Sequence, residues 1–537
     1  MLRRRHFLGL ASATAIGLTL AGCSPTDQVD VSDATDGAMK PFKAGDAFTA
    51  TQPIALTMLF SDNPAYAYDS DWLFWSELTS RTAASLDPTI VPASDYPQKR
   101  SLVVSSGDAP DLIAKVYPGE ESAYVASGAV LAVSEYVDLM PNFQEKVAGW
   151  ELEDEIATLT QEDGKFYLLP GVHEAVWPDY TVAVRTDVFE QQGIALPTSW
   201  EEFREALRAL KKAFPDTTPF SDRFEGNSVL SLAATTFGTK AGWGLGTVLT
   251  FDEDADEFSF TATSDGFRSL IEYFASLVSE GLMDPESFTQ SDDQATQKFV
   301  SGSSFVISTN SQTLIDYRTS MDQTIGAGNY SVSKIVVPGG PEGDLISGSR
   351  LECGIMLNSK VAERSDFVAV MQFLDWLYYS DAGREYAKWG IEGTTFSRGA
   401  DGARTLLPDV NYIGLNPAGT KDLRKDFGFS VGNFAYGGST ELTRSMMLPE
   451  ELDWQEAMSA KTTVPPTPPT PYSVVDREQA TLLLTPLKDY VNQNALKFIT
   501  GQRDVSEFDA FVSELEGKGV QRYLDLANKA YKAYAEK

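Results

Sequence analysis

Apolar and polar residues alternate along most of this chain in the blocks that an α/β protein needs. Residues 54–60 form an apolar run long enough for a buried strand, and Asp62-Asn63-Pro64 breaks it. Ser70 or Asp71 stands ahead of Trp72, Trp75 and Leu78, whose spacing predicts one face of a helix. A second strand is expected near residues 102–104, followed by the turn Ser106-Gly107-Asp108-Ala109-Pro110-Asp111 and the apolar Leu112-Ile113-Ala114. This alternation continues to about residue 170 and predicts an α/β lobe on a mainly parallel sheet. A second α/β region opens with a strand at residues 182–184. Its first helix starts at Thr198-Ser199-Trp200-Glu201-Glu202, a capping-box pattern, and runs to about Ala213. The acidic residues 252–257 read as a hairpin turn between apolar residues 249–251 and 258–260. A calcium loop would need glycine and a bidentate acid where Glu257 and Thr263 stand. Pro465, Pro466, Pro468, Pro469 and Pro471 predict a stiff extended connection before the last helices.

The N-terminus has a different pattern. Arg3, Arg4 and Arg5 precede an uncharged apolar stretch, residues 7–20, too short to span a bilayer comfortably. Leu20-Ala21-Gly22-Cys23 closes it as a lipobox does, so residues 1–22 are expected to be a lipoprotein signal peptide and Cys23 the lipidated residue. The arginine pair also fits twin-arginine export, with Arg3 in place of the usual Ser or Thr, so the Sec route stays open. Residues 23–52 are polar and aperiodic and are expected to be a flexible tether. Cys353 is then the remaining thiol and no intramolecular disulfide is possible, so 537 residues must be held by their cores, in at least two lobes.

The formal charge of −33 becomes −36 once three arginines leave with the signal peptide. Such a surface repels phosphate backbones and excludes nucleic acid as a partner. Enzyme chemistry is poorly supported. His173 is the single histidine left after processing, and no Gly-x-Ser-x-Gly, Walker or His-Glu-x-x-His pattern occurs. A pair of carboxylates would suffice for a glycosidase, which keeps a surface glycoside hydrolase as an alternative reading.

The order of segments resembles the extracellular solute-binding proteins of bacterial ABC importers, in particular the long-chain subgroup that includes alginate-oligosaccharide binders. The resemblance rests on Ser106 to Asp111, on Asp163-Gly164-Lys165-Phe166-Tyr167, and on Val184-Arg185-Thr186-Asp187 leading to Pro197-Thr198-Ser199-Trp200. It also rests on Glu280-Gly281-Leu282-Met283-Asp284-Pro285-Glu286, Trp389-Gly390-Ile391-Glu392-Gly393 and Lys497-Phe498-Ile499-Thr500-Gly501. It implies a periplasmic-binding-protein-like fold of two α/β lobes, each a mainly parallel sheet flanked by helices, joined by three crossovers. Residues 53–175 and 352–388 would form the N-terminal lobe, and residues 178–350 and 390–537 the C-terminal lobe. The crossovers would fall near residues 174–178, 350–352 and 389–390. It implies a monomer without enzymatic activity, lipid-anchored at the extracellular face of the membrane. That monomer would capture an oligosaccharide and pass it to ABC transporter permease subunits. A peptide-binding transport protein is the other alternative. Relatives often hold calcium after the first helix of the second region. Here Phe214-Pro215-Asp216-Thr217-Thr218-Pro219 supplies too few oxygens, so neither metal nor cofactor is expected.

Sugars present hydroxyl rims and apolar faces, so their sites combine stacking rings with planar polar groups. Trp177 and Trp389 lie at expected crossovers, and Trp243 stands between two glycines. With them Asn63, Lys115, Glu174, Arg350 and Glu392 complete the candidate ligand-binding set. Trp72, Trp75 and Trp200 are expected to serve the core.

Overall fold

The computed structural model describes residues 30–536. The signal segment and Cys23 lie outside the described residues. Two large apolar cores divide the chain, each built on its own sheet.

The first sheet has five strands in the order Ala84–Pro92, Ile54–Asp62, Leu112–Val116, Leu351–Leu357, Leu169–Val172. Its first three strands are parallel, and Leu351–Leu357 runs antiparallel to both neighbours. Ala84–Pro92 carries two prolines, which a central ladder would not accept. At the sheet edge they cost no hydrogen bond. The strand expected near residues 102–104 is instead part of the helix Tyr96–Ser105. There Pro97 sits in the first turn, and Tyr96, Arg100 and Val104 bury one face at four-residue spacing.

The second sheet is smaller, in the order Val306–Thr309, Thr181–Val184, Ser333–Lys334, and both of its pairs are antiparallel. This departs from the mainly parallel sheet expected. Parallel pairing at this sheet is confined to the isolated bridges of Phe220 with Val306 and with Met283, placed after the helices Trp200–Ala213 and Asp265–Ser279. Both faces are covered: Val182, Val184 and Val306 enter one core, and Ala183, Ile307 and Val332 another. The helix start at Trp200 is capped as its sequence predicts. Ser199 Oγ accepts from the Glu202 amide at 3.2 Å, and the Glu202 carboxylate accepts from the Thr198 amide at 2.8 Å.

Two regions sit differently from expectation. Residues 30–52, expected in the tether, pack on the first lobe. Phe48 is 2% exposed, the Ala50 amide donates to the Thr82 carbonyl, and the Met39 amide donates to Gln372. Residues 391–442, expected in the C-terminal lobe, place Ile391, Phe396, Leu423, Phe429, Phe434 and Leu442 in the first core. The chain therefore leaves the first core after Leu442 rather than at residues 389–390. It next contributes Trp454 and Met458 to a small cluster with Val337 and Ile346. Beside that cluster Leu345–Ser347 pairs in parallel with Thr462–Val464. Finally Ala480, Leu487, Phe498, Phe511 and Tyr523, from the last helices, complete the second core.

Candidate functional site

The two lobes meet where Arg424 of the first donates to Gln312 of the second and where Tyr117 and Tyr180 come within electrostatic reach, and the two sides of this cleft, its first and second walls, differ in chemistry. On the first wall, strand Ile54–Asp62 ends at Asn63, whose Oδ1 accepts from the Ala65 amide at 2.9 Å and whose Nδ2 donates to the Tyr66 hydroxyl at 3.3 Å. Lys115, one residue before the end of strand Leu112–Val116, has a left-handed backbone with φ of 56°. Arg100 holds it there by donating to the Lys115 carbonyl at 2.8 Å. Its ammonium then contacts the Tyr436 hydroxyl and lies 4.2 Å from the Tyr436 ring centre and 5.8 Å from that of Tyr117.

The second wall is aromatic. Trp243 is 48% exposed and meets Tyr180 at 5.0 Å and Phe224 at 4.9 Å between ring centres, both at steep angles. The Arg223 guanidinium covers the other neighbour, 4.0 Å over the Phe224 ring. Gly242 makes this turn possible. Its φ is 54°, and a Cβ there would stand 2.0 Å from the Asn227 carbonyl oxygen.

At the base, the chain crosses between lobes through residues 173–180. Trp177 stacks on His173 at 6.1 Å and 7°, and His173 Nε2 lies 2.7 Å from a Glu352 carboxylate oxygen. Asp179 is held by Asn310 Nδ2 at 3.3 Å, and burial pushes its carboxyl up to about 6 against the pull of Lys334. Burial likewise lowers Lys388 to about 7. Lys388 lines a cavity of about 110 Å³ with Trp177, Tyr412 and Glu451. A second cavity, of about 270 Å³, lies against the other side of the crossover, between Trp177, Glu174, Arg444 and Gln455. Arg424 spans the walls: it lies 5.1 Å over Tyr66 and 5.6 Å over Tyr412, and donates to Gln312 of the second lobe at 3.1 Å.

Of the residues singled out from sequence, the structure brings Asn63 and Lys115 to the first wall, Trp243 to the second and Trp177 to the base. Glu174 is beside Trp177, where its carboxylate accepts from the Thr440 amide at 2.6 Å. Three others are placed differently. Trp389 is 2% exposed, packs on Phe396 and donates to Ser445, so its ring faces core and not cleft. The Arg350 guanidinium is fully engaged, donating to Glu155 at 2.6 Å and to the Trp150 and Glu151 carbonyls at 2.5 Å, which pins the second crossover to the first lobe. Glu392 points to Arg398, 3.7 Å away, in a turn outside the cleft. Sequence reasoning misses Tyr66, Tyr117, Tyr180, Arg223, Phe224, Tyr412, Arg424 and Tyr436. Tyr66, Tyr117 and Tyr180 were within reach, each two or three residues from a chosen position. Tyr412, Arg424 and Tyr436 were not, because their segment is assigned to the other lobe.

Comparison with known proteins fits this geometry. The model of the bacterial extracellular solute-binding protein family matches residues 87–400. The fructooligosaccharide ABC transporter substrate-binding protein FusA of Streptococcus pneumoniae is 21% identical, over 91% of this chain and 92% of its own. The crystal structure of the alginate-binding protein AlgQ2 superposes with a TM-score of 0.70 at 17% identity, covering 90% of this chain and 99% of that one. A solute-binding protein of Bifidobacterium longum infantis described as binding HMO and associated with an ABC transporter gives 0.67 at 18% identity, with 90% and 99% covered. These folds are two-lobed, as this one is. The chain belongs to the family of bacterial extracellular solute-binding proteins.

Proposed function

We propose that the protein captures an oligosaccharide between its two lobes and delivers it to the permease of an ABC importer, without turning it over. The observation that carries this reading is the pairing of a hydrogen-bonding wall around Asn63, Tyr66 and Lys115 with a stacking wall around Trp243 and Tyr180. A sugar offers both kinds of surface, hydroxyl edges and apolar ring faces. The printed descriptions of the similar proteins, which name fructooligosaccharide, alginate and HMO, support the same class. A ligand touching both walls binds the closed arrangement better than the open one, and that difference drives closure.

We further propose that Cys23 carries the lipid that holds the protein at the extracellular face of the membrane, as a monomer. Among the described residues no helix is long and apolar enough to cross a membrane. Anchoring then rests on acyl chains worth about 0.8 kcal/mol per buried CH₂.

Calorimetric titration against a panel of oligosaccharides tests the capture reading, with reducing ends assayed in parallel. Stoichiometric binding, no release of reducing ends and a smaller radius of gyration on saturation are expected. Steady release of reducing ends would make the protein a glycoside hydrolase. Binding of peptides with no glycan bound would make it a peptide carrier. For the anchor, Cys23→Ala should release the protein into the medium or leave it as unprocessed precursor. A variant still processed and acylated overturns that assignment.

A further inference from the structure

Lys115 keeps its charge unmatched in a chain with 76 acids and 43 bases. Two carboxylates lie near enough to act on its surroundings, and both are engaged elsewhere. Glu120 pairs with Arg100 at 2.8 Å through one oxygen and accepts from the Tyr117 amide at 2.8 Å through the other. Glu352 meets His173. The ammonium itself touches the Tyr436 hydroxyl and the faces of Tyr436 and Tyr117, and no carboxylate among the described residues comes within ion-pair reach of it. A left-handed backbone is strained at a lysine, and such strain gathers at ligand clamps. Here it turns the side chain toward Tyr436.

Gly432 opens the space in which the polar atoms meet. A Cβ on it would stand 3.3 Å from Lys115 Nζ, 3.3 Å from the Tyr66 hydroxyl and 3.4 Å from the Tyr436 hydroxyl. The Tyr66 oxygen already accepts from Asn63, so its own proton is free to donate. Lys115 retains N–H groups beyond the one directed at Tyr436. Arg424, 5.1 Å over the Tyr66 ring, is a second cation nearby, and its Nε lies 3.5 Å from an Asp422 carboxylate oxygen. The seat thus holds one cation and two hydroxyls. A neutral sugar hydroxyl can hydrogen-bond to it but leaves the charge unanswered. A carboxylate only accepts, and it answers the charge as well.

We propose that Lys115, with Tyr66 and Tyr436, seats a carboxylate carried by the sugar unit nearest the first lobe, and that Lys115 is the residue setting this specificity. The inference rests on the oligosaccharide reading above and narrows it to acidic sugars. Uronic and sialic acids present the same group.

The test is titration of the wild-type chain with matched pairs: oligogalacturonate against a neutral galacto-oligosaccharide of equal length, and sialyllactose against lactose. The acidic member of one pair should bind at least about tenfold tighter, and the pair in which it does so identifies the source. That preference should shrink between 50 mM and 500 mM salt, as a charge-assisted contact does, while neutral binding holds. Lys115→Gln should bring the acidic ligand down to the neutral level, and Lys115→Arg should keep most of the preference. Melting curves establish that each variant is folded. Should Lys115→Gln fail to fold, Tyr66→Phe serves instead, with an expected few-fold loss confined to the acidic ligand. Neutral members binding as tightly as their acidic partners in both pairs overturn the proposal and leave oligosaccharide capture standing. So does an equal loss of both ligands in Lys115→Gln. No binding of any glycan removes the capture reading, and this one with it.

Discussion

The two walls of the cleft reach their positions by different means. On the first wall each polar group is fixed by a neighbour: Asn63 by its own turn, Tyr66 by Asn63, the Lys115 backbone by Arg100 and its ammonium by Tyr436. On the second wall Trp243, Tyr180 and Phe224 hold one another edge to face, and Trp243 leaves nearly half its surface open. Hydrogen bonds weaken steeply with angle, whereas a ring face accepts many orientations at similar energy. On the proposed reading, the first wall would set which ligand binds and in which register. The second would supply contact area with little discrimination.

This contrast can be broken or sharpened by substitution. The largest effect should come from outside both walls. Trp389→Ala removes a buried ring from the first core and should lower stability by ~3–5 kcal/mol in denaturant titration, while the folded fraction binds ligand as wild type does. A loss of affinity at unchanged stability would return Trp389 to the cleft. Trp243→Ala should do the reverse. It should weaken every ligand by ~2–3 kcal/mol, roughly 30- to 150-fold in calorimetry, and leave the melting temperature nearly unchanged. If only some ligands are affected, the second wall discriminates after all.

The pH dependence comes next. Burial raises Asp179, Asp222 and Asp375 to about 6 and Glu121 to about 7. Their folded values lie above the ordinary carboxylate range near 4, so the stability they contribute is complete below that range and is lost as pH rises through 6 to 7. The melting temperature should therefore be higher at pH 5 than at pH 8, by ~2–4 °C for each 1 kcal/mol involved. Glu280 and Asp476, held low by Arg208 and Lys529, act in the opposite sense only at more acidic pH. Asp179→Asn should remove part of the slope, and a slope unchanged by it would place the titration wholly in the cores. A smaller effect is expected for Tyr66→Phe, ~0.5–1.5 kcal/mol of affinity, differing between sugars as a directional contact must. Chelator should change nothing. The Pro219 carbonyl accepts from the Phe305 and Val306 amides, and no cluster of acids, His or Cys suited to a metal occurs among the described residues.

The two-lobed α/β fold is legible in the sequence because its strands, capped helices and turns recur in a fixed order over most of the chain. The Ser199–Glu202 cap and the hairpin of residues 249–260 follow from local chemistry alone. What escapes is set by tertiary context. Strand Ala84–Pro92 is missing from the elements that the sequence pattern predicts, because its prolines are tolerable only on an edge that no local pattern announces. Residues 391–442 form strands of two or three residues between turns, so no period shows which core they serve. Half of the first wall is hidden with them, since Arg424, Gly432 and Tyr436 lie there. Residues 30–52 bury a few side chains, Phe48 chief among them, inside a polar stretch whose composition suggests a tether.

That last segment has a mechanical consequence. With residues 30–52 folded onto the first lobe, a lipid at Cys23 would be joined to it by seven residue steps, a leash of at most about 25 Å. The first lobe would then be moored close above the bilayer while the second would be free to swing. An importer lying in the same membrane would meet one lobe at a nearly constant height. It would register the cargo through the displacement of the other.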